Sequence, residues 1–193
     1  MSYFIQEKIQ QKASDFGFLL SKFLKELIST LLKSESIKES LSIKPDVRLK
    51  DLFSSFDSTS RGYITSHDFK ETLQQKLDIF ANIEDIKILF KTYDFDLDSK
   101  LNFPEFSEML MPKKNEYAIL HRERKIKSSK SISIESKLVL IKLISSLIEA
   151  ESAIEDSRKL LTNNKKLSSY DLFDMVKGKY QNYIVKEDVS IFF

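Results

Sequence analysis

Residues 94–105 read DFDLDSKLNFPE, and no other run in the chain restricts the fold as tightly. Asp94, Asp96 and Asp98 alternate along it, and Glu105 closes it. A hard cation such as calcium takes six to eight oxygen ligands, and a twelve-residue loop supplies them from positions 1, 3, 5, 7, 9 and 12. The three aspartates fall at positions 1, 3 and 5. Lys100 offers its main-chain carbonyl at position 7, where side-chain identity hardly matters, and Asn102 at position 9 ligates directly or through water. Glu105 at position 12 can contribute both carboxylate oxygens, and Leu101 at position 8 is suited to pack in a short strand between paired loops. Apolar residues at helical spacing lie on both sides: Ile83, Ile86, Leu89, Phe90 and Tyr93 before the loop, Phe106, Met109 and Leu110 after it. Asp94, Asp96, Asp98, Lys100, Asn102 and Glu105 are therefore the expected metal set, for one calcium ion. A solvated acidic turn would explain the charges but neither the position-8 leucine nor the two flanks. Two features weaken the site without removing a ligand. Ser99 stands at position 6, which favours glycine because it takes positive φ, at a cost of about 1 kcal/mol for another residue. Pro104 stiffens the loop end.

Residues 57–68, DSTSRGYITSHD, keep the same frame through Asp57, Gly62, Ile64 and Asp68. Arg61 at position 5 has no acceptor and repels a cation, and Thr59 at position 3 is uncharged. This loop is expected to fold without calcium and to support its neighbour by strand pairing. Residues 177–188, KGKYQNYIVKED, keep only Ile184 and the spacing. Lys177 and Lys179 replace the acids, so calcium is excluded there.

Three glycines and three prolines in 193 residues leave few turn signals, which with the periodicity predicts an all-α protein. With 41% hydrophobic and 31% charged residues the chain can build a core and is not of disordered composition. The absence of cysteine removes disulfides, thiolate catalysis and zinc–thiolate sites, and the two histidines, His67 and His121, read as surface or loop residues. A net charge of +2 gives no argument for nucleic acid or an acidic membrane. The first residues carry Glu7, Lys8, Lys12 and Asp15 where a signal peptide needs an apolar core, and no run of about 18 apolar residues occurs. No nucleophile–base set or glycine-rich phosphate loop can be assembled, so a non-catalytic protein is expected.

Residues 3–13 form a short amphipathic pattern, and Phe16 to Leu32 carry a longer apolar stripe that extends toward Ser42 and ends at Pro45. HRERKIKSSK, from His121 to Lys130, reads as a solvated basic linker or an exposed helix end. A long helix is predicted from Ser133 to Leu161. An internal repeat pairs Leu27 and Ile28 with Leu143 and Ile144, Leu52 and Phe53 with Leu172 and Phe173, and Tyr63 and Ile64 with Tyr183 and Ile184. The apolar end, Val189, Ile191, Phe192 and Phe193, fits the protein's own core or a partner's surface.

ILFKTYDFDLDSKLNFPEFSEML closely resembles the calmodulin superfamily of EF-hand proteins in its ligand positions and its Phe90 and Phe106 flanks. The resemblance implies N-terminal helices over residues 1–46, an EF-hand pair over 47–112, a linker over 113–134, and a long helix with a degenerate third hand over 135–193. The wider layout from residue 23 to 190 is similar to small EF-hand proteins of ciliates and flagellates, several of them axonemal. That similarity implies a structural protein of a ciliary doublet microtubule, with tubulin or other axonemal proteins as partners, cytoskeletal rather than membrane-bound. The other implied roles are a calmodulin-like calcium sensor and a regulatory light chain, either of which would clamp a partner helix.

Overall fold

Helix α1 runs unbroken from Ser2 to Ser42. It joins the two amphipathic stretches that the sequence separates, because no proline lies between them and Gly17, near the start of the second, costs a helix only about 1 kcal/mol. Pro45 follows its end, where the Ser42 hydroxyl donates to the Glu39 carbonyl at 2.7 Å. The computed structural model describes residues 2–124 and 132–163, with Phe173 and Tyr183. The predicted loop at 177–188, apart from Tyr183, and the apolar end with Phe192 lie outside the described residues, as does the second half of the repeat beyond residue 163 apart from Phe173 and Tyr183.

The chain divides into two compact units, Met1–Ser29 with Ile154–Phe193, and Thr30–Ala153. In the first, Leu20 of the predicted stripe is buried, and Ser157 donates to Glu26 at 3.1 Å. The second holds two helix–loop–helix segments. The first comprises α2 (Leu49–Phe56), β1 (Tyr63–Thr65) and α3 (Ser66–Leu77). The second comprises α4 (Ile83–Tyr93), β2 (Lys100–Asn102) and α5 (Phe103–Leu110). The strands pair antiparallel with Ile64 opposite Leu101, and both residues are fully buried. Thus the two position-8 residues meet at the centre of the pair, and each strand satisfies the other's backbone groups. Phe56 stacks on Phe69 at 4.8 Å, and Phe69 meets Phe90 edge-on at 5.5 Å. Phe106 lies 5.6 Å from Phe53 and 5.5 Å from Phe56, so aromatic contacts tie all four helices together.

Two further helices complete this unit: α6 (Asn115–Arg122) and the first part of α7 (Ile134–Asn163). Ile37 and Leu41 of α1 and Leu140, Leu143, Ile144, Leu147 and Ile148 of α7 belong to the same apolar cluster as the helix–loop–helix residues. Two polar links reinforce this packing: Thr92 donates to Glu151 at 2.8 Å and Ser152 to Asp85 at 2.9 Å, both between α4 and α7.

Two expectations need correction. His121 does not sit freely on the surface. It is a half-buried residue of α6, and burial together with the nearby Arg124 charge pushes its pKa down to about 4. The segment expected as a solvated linker or an exposed helix end does begin as the end of α6, but it is not solvated throughout. Beyond it, the part-buried Arg124 donates to the carbonyls of Val47 and Ser42, holding the end of α1 against the entry to α2. A long cationic side chain can bury its stem and still satisfy its head on main-chain carbonyls, which a charge count does not reveal. Residues 125–131 lie outside the described part. Among the described residues no helix is long and apolar enough to cross a membrane, and the helices with one three-residue strand pair make the fold all-α, as predicted.

Asp46 fixes the start of α7. It accepts from the Ser133 amide and the Ser136 hydroxyl, each at 2.6 Å. Burial opposes ionisation here, but the hydrogen bonds from Ser136 and Ser133 outweigh it and bring the carboxyl down to about 2 from its ordinary 3.8. A carboxyl depressed in the folded state stabilises fully above its unfolded pKa and ceases to do so as pH falls through the folded one. Asp46→Asn should therefore cost about 1–2 kcal/mol at pH 7, after discounting for solvent screening, and progressively less as pH falls toward and through about 2. Urea unfolding of both proteins at pH 7 and at acid pH would test this. A penalty that persists undiminished at low pH would contradict it.

Candidate metal centre

The two loops begin alike. In the loop following α4, Asp94 is 7% exposed, and its two carboxylate oxygens accept from the amides of Asp98 at 3.1 Å and Ser99 at 2.8 Å. In the loop following α2, Asp57 is 5% exposed and accepts from the amides of Arg61 at 2.9 Å and Gly62 at 2.7 Å. Each position-1 aspartate thus organises its own loop. Both loops also take positive φ at positions 4 and 6: Ser60 and Gly62 in the first, Leu97 and Ser99 in the second. Ser99, at φ 64°, adopts the conformation that its position demands. Leu97, at φ 60° and 82% exposed, is a second non-glycine residue in the left-handed region that no sequence signal marked, although Ser60 takes the matching position in the other loop.

Their centres differ. In the second loop the carboxylates of Asp94, Asp96 and Asp98 each place an oxygen within 4.8 Å of the others. A slight desolvation and the negative charges of Asp98, Glu105 and Asp94 push the Asp96 carboxyl up from its ordinary range. Glu105 is 4% exposed and turned into the loop. Its Oε1 accepts from the Phe95 amide at 2.9 Å, and its Oε2 from the Asn102 amide at 2.9 Å. Asn102 in turn accepts from the Glu105 amide at 3.1 Å, so positions 9 and 12 also form the capping box that starts α5. The Asn102 side-chain amide reaches Asp96 at 3.4 Å, and the Lys100 ammonium lies 3.7 Å from Asp98. All six predicted positions are therefore joined by side-chain contacts, Lys100 through its ammonium. Lys100 lies at the first residue of β2, and its predicted contribution is a main-chain carbonyl.

In the first loop, Arg61 at position 5 forms an ion pair with Asp68 at position 12. Thr65 donates to the same Asp68 carboxylate from its amide at 2.9 Å and its hydroxyl at 2.6 Å. Burial works against the ionised form, yet the Thr65 hydrogen bonds and the Arg61 charge hold Asp68 below the usual carboxylate range. The arginine, which the sequence marked only as repelling a cation, supplies a fixed positive charge within the loop. The Arg61 guanidinium also lies 4.9 Å from the centre of the Tyr63 ring, and the Lys100 ammonium 4.4 Å from it. The missed partner, Asp68, is legible in hindsight in the Thr65-x-x-Asp68 capping pattern.

Removing the internal cation and restoring acids should convert this loop. Thr59→Asp combined with Arg61→Asp is expected to raise bound divalent ions by one per chain, with the new site weak because Asp68 is shorter than glutamate. Terbium luminescence titration would count the sites. An unchanged stoichiometry would show that more than Arg61 and Thr59 blocks this loop.

The donor chemistry of the second loop, all oxygen and mostly carboxylate, fits a hard divalent cation and no thiophilic metal. A 114-residue stretch is 29% identical to Calcium-dependent protein kinase 7 of Arabidopsis thaliana, covering 57% of this chain and 21% of the kinase. The chain thus spans about a fifth of that relative's length. Residues 46–111 match the EF-hand domain pair family, and this part of the chain is an EF-hand domain pair carried among further helices.

Proposed function

We propose that the chain is a non-catalytic EF-hand interaction protein whose hand pair serves as a structural block, binding one calcium ion through Asp94, Asp96, Asp98, Asn102, Glu105 and the Lys100 carbonyl. The observation that carries this reading is the occupied apolar face of the pair. Leu143 and Ile144 of α7, both fully buried, belong to the same core as Phe56, Phe69 and Phe106, and Ile37 and Leu41 of α1 join them. A sensor leaves that face free for a partner's helix when calcium opens it. Here the chain's own helices fill it, with Thr92–Glu151 and Ser152–Asp85 holding α7 to the helix that leads into the calcium loop. The fixed Arg61–Asp68 pair supports a single site, and a single site has no second one with which to act cooperatively.

A calcium titration in the presence of a hydrophobic fluorescent probe tests the reading. One calcium should bind without a rise in probe fluorescence. A several-fold rise on binding would favour a regulatory pair, the second reading, which the similarity to a kinase named for its calcium dependence also supports. The narrower form of the proposal is a place in a ciliary doublet microtubule beside tubulin or other axonemal proteins. Its support is the layout of the segments from residue 23 to 190, and retention on salt-washed axonemes is its test.

A further inference from the structure

Tyr63 stands where the two loops of the hand pair meet. It opens β1 opposite Asn102 of β2, and the next pairs along the ladder are Ile64 with Leu101 and Thr65 with Lys100. A cation from each loop lies against its ring: the Arg61 guanidinium of the first loop at 4.9 Å and the Lys100 ammonium of the second at 4.4 Å. The two cations differ in what else holds them. Arg61 is ion-paired with Asp68 inside its own loop. Lys100 is turned toward Asp98, an expected calcium ligand. Its amide donates to Asp98 Oδ1 at 2.8 Å, and its ammonium lies 3.7 Å from Oδ2. Both oxygens of that carboxylate thus meet Lys100, and the ammonium divides its attraction between Asp98 and the Tyr63 ring.

We propose that Tyr63 is a positioning residue for the calcium site: its ring seats the Lys100 ammonium and so limits the competition of this tethered cation with calcium for Asp98. The inference rests on calcium binding at Asp94–Glu105. Position 7 contributes only its carbonyl to the ion, so the loop pattern gives its side chain no role. The structure gives it one, because the carbonyl and the ammonium belong to one residue that cannot leave the site. A cation fixed to the loop competes at an effective concentration set by the length of its own side chain. An exposed ion pair and an exposed cation–π contact are of similar strength, so the ring is able to decide where the ammonium rests. Without the ring, two like charges would face each other across the space that it fills. Arg61 is already bound to Asp68, so Lys100 would move to the acid within its reach, Asp98.

Calcium titration of the full chain by calorimetry, run as a double-mutant cycle, tests this. Tyr63→Leu should weaken calcium binding about threefold, and Tyr63→Phe, which keeps the ring face, should leave it nearly unchanged. Lys100→Met should tighten binding about fivefold, since it removes the competitor and keeps the main-chain carbonyl. In the Lys100→Met protein, Tyr63→Leu should then have no effect. If Tyr63 served only the strand, Tyr63→Leu would weaken binding equally in both backgrounds. That result would overturn the inference, as would an unchanged or tighter affinity in Tyr63→Leu alone. Proton NMR in excess chelator gives a readout independent of the metal. The Lys100 Hε signals should be shifted upfield by the ring in the natural protein and in Tyr63→Phe, and return to the ordinary lysine position in Tyr63→Leu. Ordinary Lys100 signals in the natural protein would overturn the seat while leaving the calcium site intact. A ring-shifted Lys100 in a protein that binds no calcium would overturn the calcium reading itself, and with it the role given to Tyr63.

Discussion

Asp96→Ala should lower calcium affinity on the order of 10–100-fold while leaving the metal-free protein as stable as before, or slightly more so. Asp96 separates the two roles that the loop's acids play. Asp94 and Glu105 are buried and hold amides of the loop, so replacing either would disturb the fold along with the site. Asp96 is exposed, and the surrounding carboxylates already disfavour its charge. Without a cation its ionised form is a source of repulsion, and with one it should serve as a ligand. Calcium titration and thermal unfolding in chelator would check both halves. An unaltered affinity would remove Asp96 from the coordination set, and a marked loss of metal-free stability would mean that its contacts with Asn102 and Asp98 matter more than the repulsion. Because the ligands bind in their ionised form, affinity should also decline as pH falls through the raised Asp96 pKa.

Leu143→Ala should have the larger effect on stability. Leu143 is fully buried where α7 packs on the hand pair, and a leucine truncated in such a place costs about 2–5 kcal/mol. In a chain of this size each kcal/mol corresponds to roughly 2–4 °C in melting temperature. The substitution should also loosen α7 and let a hydrophobic probe bind the hand pair without calcium. Leu138→Ala, on the same helix but 59% exposed, is the control and should change stability by less than about 0.5 kcal/mol. Equal behaviour of the two variants would mean that α7 is not seated as described. A destabilised Leu143→Ala protein that still excludes the probe would mean that α1 alone covers the face.

The contrast between those two leucines marks where sequence reading ends. Both fall in the same apolar run, and periodicity does not say which of them meets a distant helix. The acidic loop geometry was legible because its pattern is local: carboxylate spacing, the position-8 leucine and the flanking helices all lie within about two dozen consecutive residues. The strand pairing of Ile64 with Leu101 followed from the repetition of that frame in two loops. Long-range partners were not legible. Arg61 read as a residue that repels a cation until Asp68 was found beside it, and Arg124 read as part of a solvated linker until the Ser42 and Val47 carbonyls were found around its guanidinium. His121 read as a surface histidine because nothing nearby in the chain buries it. The sequence by itself therefore determined the helical class and the oxygen cage at Asp94–Glu105, because spacing along one short segment dictates both. Only the tertiary structure decided that α1 and α7 fill the apolar face of the hand pair, and that His121 is half-buried. Burial and charge pairing depend on which segments meet in space, and that information is distributed over the whole chain.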